Sequence, residues 1–184
     1  GRIGIDISRS NPGTLYALVD NYEIGRFPPA GARDAYGRPM PQGAGFIKGS
    51  DVFRSNDAGR SWTRTSRYDE PTTDYLNNHA GTYGWVFSQI RVDPTNAERI
   101  FIMGVPLSVS TNGGRTFARF GGQSVSNVDG SPTGGVHSDH HGMWIDPTNP
   151  NVIYNANDGG VYLTTDGGKT WTFAVSAAGA QFYN

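Results

Sequence analysis

Two short runs hold the side chains of greatest chemical potential in this 184-residue chain. His137-Ser138-Asp139-His140-His141 places three imidazoles and a carboxylate within five residues, and Asn157-Asp158-Gly159-Gly160 sets a second carboxylate in a glycine-rich turn. Side chains alternate along an extended backbone, so His137, Asp139 and His141 are expected on one side of it. Two imidazoles and a carboxylate so arranged could bind a divalent metal. They could equally do acid–base work, or form a hydrogen-bonded polar plug. Paired carboxyl groups can share acid–base work. Asp158 with Asp139 is the pair this chain offers, and Asp158 with a carboxylate outside the chain is the other arrangement. A tight turn also uses its glycines for backbone freedom and its Asp as a cap, which gives Asn157 and Asp158 a structural role. The fourth histidine is His79.

The elements that must position these groups come from a repeat. Three octets align: Ser55-Asn56-Asp57-Ala58-Gly59-Arg60-Ser61-Trp62, Ser110-Thr111-Asn112-Gly113-Gly114-Arg115-Thr116-Phe117 and Thr164-Thr165-Asp166-Gly167-Gly168-Lys169-Thr170-Trp171. They start 55 and 54 residues apart. A second motif precedes each: Ile5-Asp6 with Asn11-Pro12 and Leu15-Tyr16, then Val92-Asp93-Pro94-Thr95-Asn96 with Ile100-Phe101, then Ile145-Asp146-Pro147-Thr148-Asn149-Pro150 with Ile153-Tyr154. Each unit therefore reads strand, turn, strand, loop, strand, octet turn, strand. Gln89-Ile90-Arg91-Val92 and Thr170-Trp171-Thr172-Phe173 alternate, Asp51-Val52-Phe53 and Val161-Tyr162-Leu163 are β-branched or aromatic, and no helical period appears. Four-stranded repeats of this length are the signature of β-propeller blades. The expectation is an all-β propeller fragment of about three blades: 1–66 with an insert at 21–50, 85–120, and 140–175, with 176–184 beginning a further blade. The octets close the turns between third and fourth strands. Their Asp or Asn accepts backbone N–H groups, Gly takes a left-handed conformation, and the final Trp or Phe packs between sheets.

Strand order then selects a face. In an up-and-down blade the first and third turns lie at one end, and the second turn and the inter-blade connection at the other. The long segments 21–50, 67–85 and 121–139 all fall at the second end, and so do all four histidines and Asn157-Asp158. Loops on a rigid scaffold carry function, so a ligand face formed by His79, His137, His140, His141 and Asn157 is expected there. The insert adds Tyr22, Glu23, Phe27, Tyr36 and Phe46, aromatics that could stack on sugars or grip a peptide or pack on their own blade.

Composition agrees and excludes several classes. Gly (26) and Pro (11) are about a fifth of the chain, against roughly an eighth in average usage, and Asp outnumbers Glu by 13 to 3. Both favour turns. Fifteen Lys and Arg nearly cancel sixteen Asp and Glu, which argues against a nucleic-acid surface. No apolar run is long enough for a membrane helix. Cysteine is absent, so there is no disulfide or thiolate chemistry. The chain begins at Gly1 beside a strand, as a piece of a longer protein would.

The octets resemble Asp-boxes, the BNR repeats of sialidases, other glycoside hydrolase propellers and the sortilin (VPS10) family. Ser88-Gln89-Ile90-Arg91-Val92-Asp93-Pro94, His137 through Pro147, Asn157-Asp158-Gly159-Gly160-Val161-Tyr162 and Gln181-Phe182-Tyr183 are similar to large bacterial sortilin-like BNR proteins. The resemblance implies an extracytoplasmic (secreted, periplasmic or cell-surface) binding or assembly module for protein, peptide or glycan. The alternative it implies is a secreted glycoside hydrolase with Asp158 and Asp139 as acid and base. Arg26, Arg33, Arg38, Arg60 and Arg67 single out no sialidase-like triad. Three blades cannot close a ring, so apolar sheet faces are expected to meet the remainder of the propeller or other chains. No cofactor is expected beyond a metal at residues 137–141.

Overall fold

The computed structural model describes residues 2–33, 37–41, 43, 45–66, 87–122 and 135–174. Among the described residues there are twelve strands and no helix: β1 (Ile3–Ile7), β2 (Leu15–Arg26), β3 (Phe46–Ser55), β4 (Thr63–Arg64), β5 (Gln89–Val92), β6 (Ile100–Met103), β7 (Leu107–Ser110), β8 (Ala118–Arg119), β9 (His140–Ile145), β10 (Ile153–Asn157), β11 (Gly160–Thr164) and β12 (Thr172–Phe173). They form three four-stranded antiparallel sheets, each in chain order. The fourth strands have only two residues each, so the strand read at Thr170 starts two residues later, after the octet backbone has finished turning. His79, Tyr36 and Arg67, all of the segment 67–85, most of 121–139, and residues 176–184 with the closing Gln181-Phe182-Tyr183 lie outside the described residues.

The octets show why their residue types recur. Ser55 Oγ donates to Asp57 Oδ1 (2.8 Å) and accepts the Gly59 N–H (2.9 Å), while Asp57 accepts from Ser61 N–H (2.8 Å) and Ser61 Oγ (2.6 Å). The Ser61 hydroxyl bond, joined by its N–H, holds the Asp57 carboxyl down at about 2. Thr164, Asp166, Gly168 and Thr170 repeat this set, with Asp166 likewise held well below the usual carboxylate range, first by the Thr170 hydroxyl. Asn112 does the same through Oδ1 and uses Nδ2 to reach Thr116 Oγ1 at 2.8 Å. Two successive residues are left-handed in every octet, Gly-Gly in two of them and Ala58-Gly59 in the first.

Two apolar seams join the sheets. Tyr16, Leu18 and Val52 of the first sheet meet Ile90, Val92, Ile100, Ile102 and Phe117 of the second. Phe101, Met103 and Leu107 of the second meet Met143, Ile145 and Ile153 of the third, with Phe120 and Trp171 alongside. Each such side chain contributes roughly 1.5–3 kcal/mol on burial. Phe117 and Trp171 thus pack towards the preceding sheet, as expected of the octet aromatic. Trp62 has no preceding sheet among the described residues, stays 38% exposed and folds its indole N–H onto Gly59 O at 3.1 Å. The first strands lie side by side, β1 on β5 and β5 on β9. Asp6 Oδ2 accepts the Val92 N–H (2.8 Å), and Arg91 Nε donates to Met143 O (3.3 Å).

Register corrects the alignment of the first repeat. Ile7 pairs with Leu15 as Val92 pairs with Ile100 and Ile145 with Ile153. Ser8, not Asp6, therefore occupies the turn position of Asp93 and Asp146, and Ser8 Oγ accepts the Asn11 N–H there (3.1 Å). The insert also departs from a plain loop. β2 and β3 continue into it as a two-stranded arm, pairing Asn21 with Gly49, Ile24 with Ile47 and Arg26 with Phe46 across two irregularities. Tyr22, Ile24 and Phe27 are exposed on this arm.

Candidate functional site

The inner strand of the third sheet opens through two irregularities. Asp139 has φ 63°, a left-handed conformation uncommon outside Gly and Asn or Asp. Its N–H and that of His140 donate to Val105 O (2.8 Å) and Gly104 O (3.0 Å), fixing the start of β9 onto the β6–β7 turn of the middle sheet. Ser88, one residue before β5, is left-handed in the same way, so two inner strands begin alike. Next, Ala156 pairs with Gly142 but Asn157 pairs with His140, leaving His141 as the extra residue of a bulge. Bulges re-aim side chains.

These two features break the alternation expected along residues 137–141. His137 Nδ1 meets Ser138 O at 3.0 Å, and its ring packs on the bare backbone of Gly159, where a Cβ would lie 2.5 Å from His137 Cβ. Asp139 Oδ2 accepts from Ser138 Oγ (2.7 Å). His140 turns inward and is buried. His141 turns outward, and its Nε2 donates to Asp158 Oδ1 at 2.6 Å. His137, Asp139 and His141 are not brought together as a ligand set, and among the described residues no three His, Asp or Glu groups could hold a metal ion.

His140 belongs to a closed polar network. Its Nδ1 donates to Asn155 Oδ1 (2.8 Å), which also accepts from Asn157 Nδ2 (3.0 Å), while Asn157 Oδ1 accepts the Gly159 N–H (3.0 Å). Burial, the dominant influence, pushes the His140 imidazole down to about 4, against the opposing pull of Asn155 and the Asp139 charge. The ring is neutral at pH 7. Asn155 is fully buried and is the hub of this network, yet motif reading passed over it. The signal was two Asn at alternate positions in an otherwise apolar strand.

The outward pair is the accessible chemistry. His141 and Asp158 side chains are 40% and 36% exposed. Phe87, which immediately precedes Ser88 and which motif reading also missed, sets its ring 5.4 Å from that of His141. Asp158 sits in the two-residue turn between β10 and β11, and its N–H donates to Asp139 O at 3.1 Å. Asp139 and Asp158 are thus neighbours through the backbone, while their carboxylates are engaged by different partners. The site can offer a ligand one exposed carboxylate–imidazole pair, its imidazole backed by the buried Phe87 ring.

No family model matches the chain, and no curated protein matches it. Solved structures do. A GH74 enzyme of Niastella koreensis is 22% identical with a TM-score of 0.55, over 92% of this chain and 22% of that one. An ancestral GH74 enzyme is 17% identical with a TM-score of 0.52, over 94% of this chain and 18% of that one. YCF48 from Cyanidioschyzon merolae is 17% identical with a TM-score of 0.51, over 92% of this chain and 38% of that one. The chain therefore spans between about a fifth and two fifths of the length of the structures it resembles. At these identities the likeness is one of fold. With three sheets in up-and-down order, the chain is part of an all-β propeller.

Proposed function

We propose that this part of the propeller is a binding or assembly module, extracytoplasmic in setting, whose ligand face is the loop end carrying His141 and Asp158. The observation that carries this reading is the exposed His141–Asp158 pair, aimed outward by the β9 bulge beside Phe87. The octet carboxylates lie at the opposite end and are engaged by their own turns, whereas His141 and Asp158 present an accessible polar pair at the loop end. Exposed aromatics on the β2–β3 arm extend the surface available to a peptide or a glycan. Peptide and glycan arrays probed with the intact protein are expected to retain it, and His141→Ala and Asp158→Asn are each expected to weaken retention at least fivefold. Retention unchanged in both variants would remove the pair from the ligand face.

Hydrolysis of a polysaccharide is the second reading, favoured by the backbone contact that brings Asp139 and Asp158 to one place. It asks one carboxyl to stay protonated as an acid, which enzymes arrange by apolar enclosure. Asp158 is exposed instead. A screen of polysaccharides for reducing-end release separates the two readings. Release by the intact protein that Asp158→Asn abolishes would establish the hydrolase and overturn the binding module.

A further inference from the structure

The free atoms of the His141–Asp158 pair are hydrogen-bond acceptors. A carboxylate only accepts, so the proton shared between the two groups sits on His141 Nε2, which donates to Asp158 Oδ1 at 2.6 Å. A neutral imidazole carries one N–H, and with that N–H engaged Nδ1 is an acceptor. Asp158 Oδ2 is an acceptor as well. Among the described residues neither atom has a hydrogen-bond partner, and both side chains are more than a third exposed. The ring is held in place, because the β9 bulge aims it outward and Phe87 packs against it. The pair thus presents two acceptors, one negative charge and no donor.

The surrounding charge has the same sign. From Phe120 to Gly168 the chain has no Lys, Arg or Glu, and its charged residues are Asp129, Asp139, Asp146, Asp158 and Asp166. Asp139 begins the strand that carries His141, and among the described residues no Lys or Arg pairs with Asp139 or Asp158. Two arginines of the middle sheet do reach the third sheet, but away from this end: Arg91 at Met143 O (3.3 Å) and Arg99 at Gly167 O (3.4 Å) in the octet turn. We infer that the loop end takes the cationic side chain of a peptide, arginine above lysine. This inference rests on the reading of that end as a ligand face. A guanidinium brings five N–H donors and a positive charge in a planar fork, which fits a carboxylate edge beside an acceptor nitrogen. A sugar hydroxyl can donate too, but it leaves the carboxylate charge without a counter-charge. An acidic or sulfated ligand meets two acceptors and a like charge.

The test uses the intact protein in buffer containing EDTA, so that no metal bridges the contact. It is probed with a peptide array that carries arginine, lysine, citrulline or glutamate at one central position, with neutral oligosaccharides alongside. Citrulline keeps the shape of arginine and removes its charge. Arginine peptides are expected to be retained about tenfold more than their citrulline counterparts, and glutamate peptides least. Asp158→Asn is expected to abolish the arginine preference. Asp146→Asn removes the same charge at the far end of the same sheet and is expected to keep it. An arginine preference that survives Asp158→Asn, or that Asp146→Asn removes equally, would overturn the inference. Equal retention of arginine and citrulline peptides, or preference for the oligosaccharides, would also overturn it. If His141→Ala and Asp158→Asn still weakened retention in that case, the ligand face would stand with a different ligand. Retention indifferent to both variants would instead remove the ligand face, and this inference with it.

Discussion

His140 ties the stability of the third sheet to pH. The His140 side chain is 1% exposed, donates from Nδ1 to Asn155 Oδ1 and is pushed by burial down to about 4. An unfolded histidine titrates near 6.5. The folded value is therefore depressed, so folding favours the neutral ring. Its contribution is complete above about pH 6.5 and is lost as pH falls towards 4, because the unfolded chain takes up a proton that the folded chain refuses. Linkage across that interval gives a loss of about 2 kcal/mol by pH 5 and about 3 kcal/mol by pH 4. The carboxylates held low in the turns, Asp57, Asp146 and Asp166, have the same sign of dependence but act only below about pH 4. The assay is urea unfolding followed by tryptophan fluorescence between about pH 7.5 and pH 5, with His140→Gln as the reference that cannot titrate there. The wild type is expected to lose about 2 kcal/mol more than the variant over that range. Equal losses in the two proteins would refute the reasoning, since the titrating group would then lie elsewhere.

Two further expectations concern the octets. A Cβ at Gly114 would lie 2.8 Å from Thr65 Oγ1 and 2.9 Å from Val52 Cγ1 at φ 84°, whereas at Gly59 (φ 87°) it would meet nothing closer than 3.9 Å. Gly114→Ala is therefore expected to destabilise by about 2–5 kcal/mol, from backbone strain plus overpacking, and Gly59→Ala by about 1–2 kcal/mol from strain alone. Chemical denaturation checks the ranking, and equal effects would contradict it. Asp166→Asn is expected to lower the melting temperature much less than Asp166→Ala, since Asn112 already makes the same turn with its amide, and comparison of the two melting curves decides it.

The repeat, the strands and the octet turns were legible because their chemistry is local. A hydroxyl, an Asx side chain and a glycine within eight residues fix a turn wherever they occur. The first repeat was misaligned by two residues for an equally physical reason. Ile3, Ile5 and Ile7 alternate with period two, so a shift of two leaves the pattern unchanged, and Ser8 replaces the Asp that marks the turn in the other repeats. The site was less legible. That His140 turns in and His141 turns out depends on the left-handed Asp139 and on a bulge opposite Asn157, both set by pairing with other strands. The partnership of His141 with Asp158 joins two elements seventeen residues apart, and Phe87 arrives from another sheet. The arm of β2 and β3 is hard to see in the sequence because its Gly and Pro content outweighs the short apolar alternation within it.

The up-and-down order of each sheet bears on how the molecule folds. Every strand pairs with its neighbour in sequence, and the β1–β2 and β3–β4 turns are already bonded through Ala58 N–H to Gly13 O (3.0 Å), a link repeated at Gly113 and Gly167. Apart from the β2–β3 connection between Arg26 and Phe46, loops to be closed inside a sheet are therefore short, and their entropy is small. Among the described residues, the apolar seams and a few bonds such as Arg54–Glu98 (2.6 Å) couple one sheet to the next. Folding can thus proceed as a nearest-neighbour propagation, in which any completed sheet templates the one beside it. Among the described residues the middle sheet is supported from two sides, and β6, buried at all four residues, is expected to be the last to open.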